Sequence, residues 1–197
     1  MFRAIVSAVA ALSFIGFASP AEAGADRAVK ALFACNTDFF EVLRSERTAF
    51  RVSEVMTVSY EDQRIDIIEF DPPVQALGLR LTSYRQETSM NYGGEPVVVT
   101  WGFQSAEVPM TVALALREHF PGEQPFRGTS SRLVPAETDT RIKSFMITET
   151  RLRGETGANL ECSSRMVGDI RSLPDVADLF FDTWRNRWRA WIDEWLD

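Results

Sequence analysis

The chain has 197 residues, 45% of them hydrophobic, 11% aromatic and 25% charged, proportions of a globular protein that exclude disorder, collagen and a multi-span membrane protein. Twenty-one Lys plus Arg stand against 28 Asp plus Glu, a formal charge of -7, so phosphate backbones and anionic bilayers repel the molecule and nucleic acid is not an expected partner. One His and two Cys leave no two-histidine metal site, and no phosphate or cofactor motif accompanies them.

Met1-Phe2-Arg3 supplies a positive charge, Ala4 to Phe17 is almost wholly apolar, and Ala21-Glu22-Ala23 places small residues where a signal peptidase reads. The apolar run is about 14 residues, short of the roughly 20 that a spanning helix needs. Residues 1–23 are therefore expected to be a secretory signal peptide. Residues 24–197 are expected to be one domain with no transmembrane anchor after cleavage, periplasmic or secreted. Only Lys30 and Lys143 occur among the 21 basic residues, which points to a GC-rich bacterial host. Leu32-Phe33-Ala34-Cys35 has the outline of a lipoprotein box, but Asp26, Arg27 and Lys30 stand where its apolar core belongs. Cys35 reads instead as part of a helix.

Export puts the two cysteines in a disulfide-permissive compartment, and Cys35 and Cys162 then have only one intramolecular pairing. No C-x-x-C spacing supports redox chemistry.

In chain order, Val29, Leu32, Phe33, Phe40 and Leu43 recur at helical spacing and predict a first helix from Arg27 to about Arg47. Cys35 falls at the edge of its apolar arc and Asn36 near the centre. Period two then takes over: Val52 to Tyr60 and Ile65 to Ile68 predict two strands, and Leu77, Leu79 and Leu81 a third, with Asp71-Pro72-Pro73 separating the second from the third. Asn91-Tyr92-Gly93-Gly94 turns the chain into a fourth strand at Val97 to Phe103. Val108 to Phe120 fits both periods; its Ala and Leu content favours helix. Residues 121–140 read as irregular, and strands follow at 141–152 and 158–167, the second pointing Cys162 to the core. Ser172 and Asp175 form a capping box for a last helix running to about Leu196. The expected fold is a single α+β domain: an antiparallel sheet of about six strands packed by N-terminal, middle and C-terminal helices.

On that last helix Trp184, Trp188, Trp191 and Trp195 share one face, a packing surface first and an aromatic binding platform second. His119 ends a helix and reads as a capping or surface residue, since no nucleophile motif accompanies it. Asp66, Glu69 and Asp71 could pair across the sheet for acid/base work, although solvated strand faces carry charge routinely. Gly93-Gly94 lacks the lysine and helix of a phosphate loop. Asn36, an amide inside an apolar arc, needs a partner, a buried water or a ligand.

These readings predict an exported, non-catalytic binding or accessory module of the cell envelope, serving a protein partner or a small apolar or sugar ligand. Asn36 and the four tryptophans are the candidate contacts, and no cofactor is expected. The rival is a carboxylate-dependent hydrolase of an envelope glycan, which requires two facing carboxyls in one site.

Overall fold

The structure is a computed structural model and describes residues 19–94, 96–121, 131–134, 143–152, 155–165 and 174–181. Ser19 caps the first helix, α1 (Pro20–Ala34), by accepting a hydrogen bond from the Glu22 amide at 3.1 Å, and Pro20 takes the first-turn position that a missing N–H suits. Its start lies inside the segment read as a leader. Among the described residues the first buried one is Gly24, the residue after the expected cleavage point; Ala21 is exposed and Ala23 half-buried.

The expected single helix from Arg27 to Arg47 is two. Cys35 adopts the left-handed region (φ 56°) and its N–H bonds Leu32 O at 2.9 Å, which ends α1. A second helix, α2 (Asp38–Ser45), follows, then a 3-10 turn over Arg47–Ala49. The apolar stripe stays in phase across this break, so periodicity alone does not reveal it. The break directs Phe33 against Phe120 and Phe145, and Phe39 and Phe40 against Phe103 and Trp101.

Seven strands follow among the described residues: β1 (Val52–Ser59), β2 (Gln63–Ala76), β3 (Leu79–Met90), β4 (Pro96–Ser105), β5 (Ser131–Val134), β6 (Lys143–Leu152) and β7 (Glu155–Arg165). All neighbours are antiparallel, in the order β1-β2-β3-β4-β7-β6-β5. Pro72 and Pro73 do not separate two strands as expected; β2 runs through them to Ala76. They are tolerated because pairing with β1 ends at Phe70 and the β3 register jumps between Glu69 and Val74, so no ladder bond is asked of either proline. The turn lies instead at Leu77-Gly78, both at positive φ (50° and 76°), and Asp26 of α1 clamps it by accepting the Leu77 N–H at 2.7 Å. β5 lies in the stretch expected to be irregular; its four residues are too few for an alternation to register.

The middle helix forms as expected, α3 (Pro109–His119), with Val112 and Leu116 buried. The last described helix, α4, covers only Val176–Phe180. Its cap is Asp175, not Ser172, and its side chain accepts from the Ala177 amide at 2.9 Å. Phe181 is extended, so no single helix runs from the cap to Leu196. Trp184, Trp188, Trp191 and Trp195 lie outside the described residues.

The four described helices pack on one face of the sheet, closing a core around Phe39, Tyr84, Trp101, Phe103 and Phe180. Each such ring contributes about 1.5–3 kcal/mol by leaving water. Cys35 and Cys162 are bonded, with Cα atoms 5.5 Å apart, which ties the α1–α2 junction to β7. Across 127 residues the chain-entropy stabilisation is about 5 kcal/mol. This is a single α+β domain of the expected class, with the short β5 added at one edge. No described helix is long and apolar enough to cross a membrane.

Candidate functional site

Strand alternation gives the sheet a second face, on which no helix lies among the described residues. Register aligns three rows of side chains across it. The central row runs Met56, Ile67, Arg85, Gly102, Glu161 and Met146. On one side lie Glu69, Ser83, Gln104, Asn159 and Thr148, and on the other Ile65, Glu87, Thr100 and Ser163. Apolar residues thus flank a polar middle.

Gly102 is central to this arrangement. It stands directly opposite Arg85 on one side and Glu161 on the other, and a methyl group on it would lie 1.9 Å from Leu160 O and 2.7 Å from Glu161 Cα. Only glycine permits β7 to approach β4 this closely. Register thus places Arg85 and Glu161 on either side of a residue without a side chain.

The neighbouring row is a hydrogen-bond chain of one polarity. Ser83 Oγ donates to Gln104 Oε1 (2.5 Å), Gln104 Nε2 to Asn159 Oδ1 (3.0 Å), and Asn159 Nδ2 to Thr148 Oγ1 (3.3 Å). Thr148 Oγ1 donates in turn to Glu161 Oε1 (3.3 Å). Ser83, Gln104 and Asn159 are buried, so each bond made here avoids the cost of an unpaired polar group. The chain delivers its last donor to a carboxylate. Burial raises the Glu161 pKa above the usual carboxylate value, against the opposing pull of the Arg85 charge and the Thr148 bond, and the Glu87 charge adds to the rise. Arg85 Nη2 meets Glu87 Oε2 at 2.5 Å, and Gln63 Nε2 donates to the other Glu87 oxygen. Arg85 Nε is buried with no hydrogen-bond partner among the described residues.

The residues singled out from the sequence fare differently. Asp66 and Glu69 point to opposite faces, because they differ by an odd number of residues in one strand. Asp66, on the face that carries the helices, accepts from Thr57 Oγ1 at 2.6 Å and pairs with Arg64; Asp71 is exposed. These three carboxyls do not converge. Tyr84 OH donates to Gln86 Oε1 at 3.0 Å, and burial followed by the Asp66 charge pushes its phenol well above the ordinary range. His119 is the exposed last residue of α3. Gly93 and Gly94 make a turn, with Asn91 Oδ1 accepting the Gly93 amide at 2.9 Å.

Asn36 is not in a helix: it lies in the α1–α2 junction, half-buried. Its Nδ2 donates to Asp38 Oδ2 at 3.1 Å, while Oδ1 is buried without a partner among the described residues. A cavity of about 410 Å³ lies among Ser19, Glu22, Thr48, Arg51, Pro72 and Gln75. Part of its wall is the expected leader, and cleavage after Ala23 would remove that part.

Sequence reasoning missed Arg85, Glu87, Glu161 and the Ser83–Thr148 chain. Alternation in Ser83-Tyr84-Arg85-Gln86-Glu87 and in Asn159-Leu160-Glu161 was the available signal. Register, which sets Arg85 and Glu161 on either side of Gly102, has no local signature. Among the described residues no group of three His, Cys, Asp or Glu could hold a metal ion. No protein-family model matches the chain, and no curated protein matches it.

Proposed function

We propose that this protein is an exported, disulfide-bonded binding module of a bacterial cell envelope that takes a small hydroxyl-rich ligand, a sugar, on the sheet face that bears no helix among the described residues. The observation that carries this reading is the ordered polar centre of that face: Arg85 and Glu161 facing across Gly102, backed by a hydrogen-bond chain of one polarity. A guanidinium between two carboxylates repels neither donors nor acceptors, which suits neutral hydroxyls better than an anion or a cation. Export is supported by the leader pattern and by the disulfide.

The test is calorimetric titration of the purified chain with soluble oligosaccharide fragments of peptidoglycan, beside its Arg85→Ala variant. Binding by the parent and its loss in a variant that melts normally supports the reading. Binding that Arg85→Ala leaves unchanged, or no heat with any fragment, overturns it.

A second reading, a glycan hydrolase, is favoured by one observation: Glu87 and Glu161 lie on the same face close enough for the Glu87 charge to shift Glu161. A buried carboxyl with a raised pKa has the character of a general acid. Glycan cleavage that falls by about 10²-fold or more in Glu161→Gln would establish it.

A further inference from the structure

β1 is the outer strand of the sheet, with nothing hydrogen-bonded on its far side among the described residues. The Tyr60 amide bonds Gln63 O at 2.7 Å across the tight β1–β2 turn. Antiparallel pairing then alternates, so Val58 and Met56 spend their backbone groups on β2 while Val55, Thr57 and Ser59 direct N–H and C=O outward. The close Thr57–Asp66 side-chain contact, 2.6 Å, agrees with that parity, since side chains approach most closely in non-hydrogen-bonded pairs.

The usual protections of such an edge are sparse. Val52–Ser59 contains no proline and no lysine, and its one charge is Glu54; the only irregularity is a register shift at its start, between Val52 and Glu54. Val55 (39% exposed), Val58 (37%) and Tyr60 (62%) are uncovered large side chains along it. Charge is polarised end to end: exposed Arg51 precedes the strand, and exposed Glu61 and Asp62 follow it.

We propose that β1 is a self-association edge, which pairs antiparallel with β1 of a second copy of this chain and joins two seven-stranded sheets into one. Antiparallel is the arrangement the charges select. It sets Arg51 of each copy toward Glu61 and Asp62 of the other, twice by symmetry, whereas parallel pairing aligns like ends. The exposed valines supply the apolar contact, and the outward groups of Val55, Thr57 and Ser59 supply the ladder. At physiological salt the screening length is about 8 Å, so the net negative charge of each copy weighs less than the charges that face each other.

Sedimentation velocity of the full chain over a dilution series, micromolar to hundreds of micromolar, tests this. The parent forms a concentration-dependent dimer. Val55→Pro, which removes an outward N–H and no bond to β2, raises the dimer dissociation constant at least about tenfold, with an unchanged circular dichroism spectrum. Arg51→Glu and Glu61→Arg each weaken the dimer, and the double swap restores it; this pair decides the matter if Val55→Pro does not fold. A parent that stays monomeric overturns the proposal. So does a dimer that a folded Val55→Pro leaves intact, or one that the double swap fails to restore.

Discussion

Substituting Gly102 by Ala tests the close approach of β4 and β7 on which the candidate site depends. The new methyl would lie 1.9 Å from Leu160 O, 2.7 Å from Glu161 Cα and 2.9 Å from Leu160 C. Against an ordinary C···O approach of about 3.3 Å, the overlap with the carbonyl alone is about 1.4 Å. All three atoms are backbone, so no rotamer change relieves it; β7 must move away from β4. Overpacking costs about 1–3 kcal/mol when side chains can yield. Here the upper end applies, and each ladder bond lost beside Gly102 adds about 1 kcal/mol. We expect a loss of about 3–4 kcal/mol, or a melting temperature lower by roughly 6–16 °C for a chain of this size. Urea unfolding followed by circular dichroism measures it. Gly78 and Gly94 are the controls: a methyl there meets open space, so Ala costs only the left-handed backbone penalty of about 1–2 kcal/mol. If Gly102→Ala costs no more than Gly78→Ala, the close approach of β4 and β7 is wrong, and with it the placement of Arg85 and Glu161 on either side of Gly102.

Two further outcomes follow from the same residues. Removing the disulfide as Cys35→Ser/Cys162→Ser should lower stability by about 2–5 kcal/mol in urea melts, and intact mass with thiol titration of the native parent should find no free cysteine. For Glu161 the sign runs opposite to that of a salt-bridged carboxylate: its pKa is raised on folding, so the folded state holds the proton more tightly and stability falls as pH rises from the usual glutamate range through the raised value. Glu161→Gln should therefore gain stability relative to the parent at neutral pH and lose that advantage in acid; an advantage of the same size at every pH would contradict the buried-carboxyl account.

The parts of this fold legible in the sequence were those that local periodicity encodes. Val99, Trp101 and Phe103 alternate and are buried as alternation requires, and α3 forms where Ala and Leu favoured helix. The cysteine pair carried one piece of long-range information. What stayed hidden has a common cause, because it depends on partners remote in sequence. Pro72 and Pro73 read as a strand break until one sees that both neighbours of β2 are absent at that point. The bend at Cys35 leaves the hydrophobic stripe in phase. Arg85 and Glu161 belong to strands 76 positions apart in numbering, and only the insertion of β4 between them makes them neighbours.

The Cys35–Cys162 bond also has a bearing on the order of assembly. β1 to β4 are sequence neighbours, and each hairpin can close without waiting for the later strands. The free edge of β4 cannot be capped by the strand that comes next, because its neighbour is β7. Until that strand is made, the half-built sheet presents an open edge and Cys35 has no partner. Cys162 pairs opposite Trp101 on β4, so its arrival closes the edge and supplies the second thiol in one event. Oxidation of this pair therefore waits on β7: a chain truncated before that strand keeps Cys35 as a free thiol and leaves the β4 edge unpaired.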